Sequence, residues 1–478
     1  MFSIGLVFWV CPLVTLAQGT STSSLPRLSE TKNTPSEFSL RIFYAAYDTQ
    51  SRESSKSGND KSLDSTTQFE SQYLFHTKDN STAKKIHFIL GYYPAVASSY
   101  IAAPEIYYSK KNSLDFKNVE FDYTIGRRQT LKNTLDDTFN LGLINPYFTQ
   151  DHINYTAQGL TGFHSQIGNE NFVVGANFYP LFIPNQGPAN IIKNGTLIGV
   201  NRWAQSAPQT FVYNDKENKI DYSIHDYNLY DLMTHSGYSL LLQGGDLEKT
   251  NQEFNVTYSD SPMNDIIISR TIVADLNLNG SVEIFPVVRY SRKLNSDFKY
   301  RINNTTFFIS YLMDTPENQL ENDDHAVQVL APIYGYGTGL QVDLTDFVNR
   351  HFQVSVAYGK FYGGEIQDTD SGGEPNTFSL SNNRLLYQNP FKISTELEGF
   401  RLISKPVFFN ASWIYDGNQN GSLLSLQVRH EPLQNMNVSL GVDVIGVVDD
   451  TETAGNKKTF LSRHSADDRL TGAIQYVF

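Results

Sequence analysis

From Phe38 to Phe478 the chain repeats one pattern: apolar or aromatic residues alternate with polar ones over about 8 to 13 residues, then a turn or polar loop intervenes. Over 352–358, Phe352, Val354, Val356 and Tyr358 share one face and Gln353, Ser355 and Ala357 the other. Over 407–415, Val407, Phe409, Ala411, Trp413 and Tyr415 oppose Asn410 and Ser412. Over 436–444, Met436, Val438, Leu440, Val442 and Val444 oppose Asn437, Ser439, Gly441 and Asp443. Successive side chains of a strand point to opposite faces, so each of these strands needs one apolar and one polar environment. Helical periodicity is sustained nowhere, and no repeat of fixed period suggests a propeller or solenoid.

The connections alternate between short, at Lys405-Pro406 and 431–435, and long, at 363–388 and 449–468. This asymmetry fits a single antiparallel transmembrane β-barrel with short periplasmic turns and long extracellular loops. The pattern yields about 21 candidate strands, whereas a single-chain bacterial barrel has an even number. The weakest segments are 103–109, 137–143 and 179–221. Removing them leaves an expectation of about 18 to 20 strands. A large secreted β-sandwich is the soluble alternative.

Composition narrows the picture. The 478 residues include 28 Tyr and 31 Phe, yet only 40% are hydrophobic and the mean hydropathy is −0.35, too polar for a helical membrane protein. The one long apolar run, 2–17, ends in Thr15-Leu16-Ala17 and reads as a signal peptide without a basic start; a buried helix or anchor is its alternative. Residues 18–37 are Ser/Thr-rich and aperiodic, a disordered mature N-terminus, so the expected division is 1–17 signal peptide, 18–37 disordered and 38–478 barrel. No globular plug domain is expected before the first strand. The single cysteine, Cys11, lies in the apolar run, so a processed chain could form no disulfide. A formal charge of −13 argues against a nucleic-acid partner.

The chain ends on an alternating segment in which Leu470, Gly472, Ile474, Tyr476 and Phe478 oppose Arg469, Thr471, Ala473 and Gln475. A Tyr two residues before a terminal Phe resembles the assembly signal of Gram-negative outer-membrane β-barrels of porin-like type. With the leader and the chain-long alternation, the resemblance implies a location in the outer membrane. It also implies recognition of Leu470, Ile474, Tyr476 and Phe478 by the barrel-assembly machinery, and contact with lipid and lipopolysaccharide. Tyr476 and Phe478 would sit at the periplasmic interface, with Tyr358, Tyr362, Trp413 and Tyr415 in the outer aromatic girdle.

Catalytic motifs are absent: there is no G-x-S-x-G and no H-E-x-x-H, and adjacent His164 and Ser165 would point to opposite faces of a strand. No cofactor is implied. Asp368, Asp370 and Glu374 weakly resemble a calcium loop without its distant bidentate acid, and acids at 314–324 and 449–452 could bridge lipopolysaccharide through divalent ions. The polar strand faces carry Asp343, Glu396, Glu398 and Asp443 beside Arg289, Arg429 and Arg469, the expected lining of a pore. The expectation is a pore for small hydrophilic solutes, weakly cation-preferring because acids outnumber nearby arginines. A barrel presenting loops for adhesion is the alternative. An infolded loop, with 363–388 the candidate, would move the constriction elsewhere.

Replacing Phe478 with Asp should sharply reduce the heat-modifiable band in the outer-membrane fraction. Normal insertion of Phe478→Asp would remove the basis of the resemblance.

Overall fold

A computed structural model describes residues 36–47, 65–77, 81–114, 119–147, 151–169, 171–181, 190–200, 203, 209–213, 215–226, 233, 235–263, 267–274, 280–317, 326–368, 383–448, 459–465 and 467–478. The expected signal peptide with Cys11 and most of the expected disordered segment lie outside them; the first described strand begins at Ser36.

Eighteen strands join into one antiparallel sheet that closes on itself. In chain order they are β1 (Ser36–Tyr47), β2 (Ser65–His76), β3 (Thr82–Tyr93), β4 (Ser98–Leu114), β5 (Val119–Arg128) and β6 (Leu160–Gly168). Next come β7 (Phe172–Leu181), β8 (Gly237–Asp246), β9 (Gln252–Pro262), β10 (Tyr290–Ile302), β11 (Thr305–Pro316) and β12 (Ile333–Asp343). The last six are β13 (Phe352–Gly363), β14 (Pro390–Leu402), β15 (Lys405–Asp416), β16 (Gly421–His430), β17 (Met436–Val447) and β18 (Arg469–Val477). Each pairs with its neighbours in the chain, and β18 returns to β1 in a register that sets Ile42 against Ile474 and Tyr44 against Gly472. Closure leaves no edge strand, which is what a sheet crossing hydrocarbon requires. The count lies within the 18 to 20 expected, and it is even.

Both described ends of the barrel lie on one side, where connections run from the two residues 303–304 to the eight of 344–351. The opposite side carries 48–64, 129–159, 182–236, 263–289, 317–332, 364–389 and 448–468, with only 94–97 and 417–420 short. The sequence placed one hairpin turn at Lys405-Pro406. The chain instead turns at Ile403 and Ser404, which adopt φ of 51° and 63°, and Lys405 and Pro406 begin β15. Two positive φ angles in a two-residue loop match the twist of the flanking strands, a geometry that composition alone does not signal here.

The doubtful segments resolve in three ways. Residues 103–109 lie inside β4, while 137–143 contains the end of a helix, α1 (Thr134–Phe139), and no strand. The stretch 179–221 contains the end of β7, a hairpin pairing Asn190–Lys193 with Thr196–Gly199, and the start of a second sheet. That second sheet has six strands drawn from the long connections, including a parallel pairing of 220–224 with 280–284. Two further short helices, α2 (Thr345–Val348) and α3 (Phe460–Arg463), lie in connections.

Alternation now acquires directions. Leu40, Ile42 and Tyr44 of β1, Ile86, Phe88 and Leu90 of β3, and Leu470, Ile474 and Tyr476 of β18 are exposed on the outer wall. Ser39, Glu70, His87, Asn177, Ser239, Asn295 and Ser310 are buried on the inner wall. An outward apolar belt around a polar interior is the pattern of a barrel solvated by lipid. Tyr358, Tyr362 and Trp413 are exposed toward the loop side, and Phe478 packs on Phe38 across the seam with ring centroids 5.5 Å apart. Among the described residues no helix is long and apolar enough to cross a membrane.

The seam gives a direct test. Ala45 and Thr471 face each other across β1 and β18. In an Ala45→Cys, Thr471→Cys double variant, oxidation should form an intramolecular disulfide in nearly all inserted chains, because opposed antiparallel residues fall within disulfide range. Free thiols after oxidation would contradict the closed seam.

Candidate functional site

The connection 129–159 folds inward and sits on the inner wall instead of standing above the barrel. Asn133 starts α1 by capping: its Oδ1 accepts from the Asp136 amide at 2.9 Å, as short polar residues do at helix N-termini. Its Nδ2 reaches the opposite way, donating to Ser310 Oγ at 3.0 Å and Asp297 Oδ1 at 3.3 Å on the wall. Thr134 N donates to the same Asp297 oxygen at 3.0 Å. Asn255 Nδ2 of β9 donates to Lys132 O at 3.0 Å, and Lys392 Nζ of β14 donates to Thr138 O at 2.7 Å. Asp136 folds the segment onto itself, accepting from the amides of Leu143 and Ile144 at 2.9 and 3.2 Å. Burial pushes its carboxyl up to about 7, with Asp137 adding to the shift and the two amides opposing it.

Packing completes the attachment. β12 reads Tyr334-Gly335-Tyr336-Gly337-Thr338-Gly339, tyrosines outward and glycines inward. A Cβ on Gly337 would lie 2.3 Å from Leu135 Cδ1, and one on Gly359 of β13 2.8 Å from Phe139 Cε2, so the two apolar residues of α1 occupy space that only glycine leaves free. Leu135 and Phe139 join Phe43, Ala45, Leu312, Ile333 and Phe361 of the wall in one apolar cluster with Leu385, Leu386 and Leu461 from other connections. Burying side chains of this size stabilises the seating by about 1.5–3 kcal/mol each.

Farther toward the loop side, Arg469 is fully buried between two carboxylates: Nε donates to Asp443 Oδ2 at 2.7 Å and Nη1 to Asp151 Oδ2 at 2.6 Å. Asp151 belongs to the inward segment, so this bridge ties residue 151 to the closing strand. Above it, Trp203, His152, His464 and Phe460 pack edge to face and in stacks, with Trp203 and His464 centroids 4.8 Å apart. His464 Nδ1 and Asp467 Oδ2 lie 2.7 Å apart. Arg384 and Asp314 form another buried pair at 2.5 Å, joining 383–389 to β11. Asp416 accepts from the amides of Gln388, Asn389, Asn418 and Gln419 and holds the same connection to β15. On β1 to β4 the inner wall carries a ladder in which Arg41 and His87 meet Glu70, and Lys85 meets Glu105.

The residues singled out in the sequence fall into these networks unevenly. Asp443 and Arg469 meet each other on adjacent strands; Glu396 meets Arg429 at 3.3 Å and His351 at 3.5 Å; Glu398 meets Arg401 at 3.5 Å near the turn side. Asp343 lies at the turn-side end of β12, where its Oδ1 accepts from Thr345 N at 2.9 Å. Arg289 lies in the connection before β10, its carbonyl accepting from Met263 N, and no strand face carries it beside Ser291. Asp314, grouped in the sequence with acids of a surface loop, is buried because its strand extends to Pro316 and turns it inward. Asp368 ends a three-residue strand, and Asp370 and Glu374 lie outside the described residues, as do 449–452. His164 is buried inward and Ser165 bonds the backbone of Ala176, so they do not converge. Reading by alternation missed Asn133, Asp136, Asp151, Lys392 and Arg384; Asn133 alone carried a local signal, a capping residue before a short apolar run.

Between α1 and the turn side remains a cavity of about 330 Å³. Lys299, Arg301, Asp343, Ser355, Lys392 and Ser394 are among its lining residues, with Thr134 and Thr138 of α1 as its roof.

No family model and no curated protein matches the chain. Among solved structures, variants of the porin of Rhodopseudomonas blastica match over 93% of this chain and 99% of theirs, at 8% identity and TM-score 0.36. The outer membrane protein OpdK of Pseudomonas aeruginosa matches over 93% of this chain and 98% of its own, at 10% identity and TM-score 0.43. Independently of these likenesses, the closed ladder and the outward apolar belt make this chain an 18-stranded β-barrel of the transmembrane kind.

Two outcomes follow from the buried bridges. Removing Arg469 leaves two buried carboxylates unopposed, so Arg469→Ala should destabilise the barrel by about 3–5 kcal/mol in denaturant unfolding from micelles. A loss under about 1 kcal/mol would place the bridge in solvent. Burial and the neighbouring His464 hold the His152 ring down to about 4, against the opposing pull of Asp151. A depressed histidine favours the folded form above its ordinary value of 6.5 and ceases to do so as pH falls toward 4, so the aromatic clasp should loosen across that window. Trp203 emission in a Trp413→Phe chain lacking residues 1–17, and with them Trp9, should shift there, and constant emission from pH 7 to 4 would contradict it.

Proposed function

We propose that the protein is an outer-membrane channel for small hydrophilic solutes, with the inward segment 129–159 as its constriction. The observation that carries this reading is the seating of α1 on the glycine-lined wall, which narrows the interior while leaving a cavity of about 330 Å³ on the turn side. An 18-stranded barrel is wide enough for an aqueous lumen, so a filled cross-section needs chain folded into it. In this reading the anchored segment sets the size limit on what passes.

The expected weak cation preference rested on Asp343, Glu396, Glu398 and Asp443. Bridges to Arg429, Arg401 and Arg469 offset three of them, so their share in any ion preference is reduced, and selectivity falls to the cavity wall. A second reading, a barrel that presents its connections to a partner, draws support from the six-stranded sheet those connections build. The two readings differ in one measurement. Reconstituted in planar bilayers, the mature chain should give discrete conductance steps, and liposome swelling should slow steeply with solute size. Silent bilayers would favour the presenting barrel.

A further inference from the structure

We infer that the cavity beneath α1 is a binding site for a small oxyanion, a carboxylate or phosphate borne on a compact solute, with the Lys392 ammonium as its counter-charge. The inference deepens the channel reading and rests on it for a role in transport.

Lys392 sits on the inner face of β14, opposite Ala357 of β13, and is 7% exposed. Its Nζ has one partner among the described residues, the carbonyl of Thr138, which leaves two of its three donors for something else. No carboxylate of the described residues lies within ion-pair distance of it. Arg469, Arg384, Arg41 and Lys85, also on the inner side, each meet an acid. A buried charge without a counter-charge is strongly unfavourable, and an anion in the adjoining cavity removes the penalty.

Across the cavity, on β10, Lys299 and Arg301 also line it, Lys299 3.9 Å from Glu253, and the one lining acid is Asp343. Lys392 lies level with Ala357 and Asp343 level with Gln353, four residues nearer the turn, or about 13 Å along the strand. Asp343 therefore marks the far end of the cavity, with one oxygen already engaged by Thr345 N. Next to Lys392, the hydroxyls of Ser355 and Ser394 bond each other at 2.7 Å and can turn a proton toward an anion. The Phe308 ring lies against Gly339, where a Cβ would be 2.4 Å from its Cε1, and gives the opposite wall an apolar surface. A volume of about 330 Å³ is at the small end of the range for ligand sites, which favours a compact solute over an oligosaccharide.

The test is calorimetric binding to the full-length barrel in micelles, with succinate, inorganic phosphate and choline chloride as probes. Succinate or phosphate should bind and choline should not; a preference between the two anions identifies the headgroup. Lys392→Gln should weaken binding at least tenfold, with Lys392→Arg retaining most of it. Should Lys392→Gln fail to assemble, Arg301→Gln should still weaken binding several-fold in a barrel of unchanged heat-modifiability. Absence of anion binding to the wild type, or equal affinity in the Lys392→Gln and Arg301→Gln barrels, overturns the site. Bilayer conductance measured on the same preparation separates the two readings: steps without anion binding remove the site alone, and binding without steps removes the channel.

Discussion

Everything in this molecule follows from the absence of water in hydrocarbon. A backbone amide or carbonyl facing lipid without a partner costs several kcal/mol, so a chain lacking long apolar helices can cross only as a sheet with no edge. The pairing of β18 with β1 meets that condition. Phe478 N donates to Phe38 O at 2.7 Å, and the two rings pack beside it, so Phe478 contributes both a backbone hydrogen bond and a packed ring at the seam. Closure also creates a second problem. Eighteen strands enclose more space than their own inner side chains fill, and the protein answers it with its connections.

The filling is of two kinds, and their placement explains why part of the interior is dense and part hollow. Toward the loop side, apolar residues of α1, 385–387 and α3 meet inward Phe43, Leu312 and Ile414 in one buried apolar cluster. Arg469 with Asp151 and Asp443, and Arg384 with Asp314, form buried ion pairs beside it, because a buried charge without a counter-charge is strongly unfavourable. Toward the turn side the packing stops at α1, and the wall beyond carries hydroxyls, amides and cations around a cavity. The helix that closes the apolar cluster is thus also the roof of the cavity, and Lys392 touches it from below.

What the sequence made legible is the outer wall. Leu440, Trp413, Ile474 and Tyr476 all face outward, because lipid imposes a period of two that any register error would destroy. The inner wall is less readable. Alternation gave Asp443, Glu396 and Arg469 an inward direction, but the partner of Arg469 across the lumen, Asp151, is 318 residues away and sits in a connection with no periodicity. The six residues of α1 are too few for a helical pattern, so 137–143 looked like a poor strand. Arg289 was misplaced because β10 begins one residue after it, and strand ends carry no mark in a pattern of two. The turn at Ile403 and Ser404 was displaced toward Pro406, the residue with the stronger turn chemistry.

The account depends most on the inward segment as the element that narrows the lumen. Replacing 129–159 by a short turn and recording single channels tests this directly. The account predicts steps several-fold larger than those of the intact chain, with the barrel still heat-modifiable. Equal steps from an assembled barrel would show that the segment does not form the constriction.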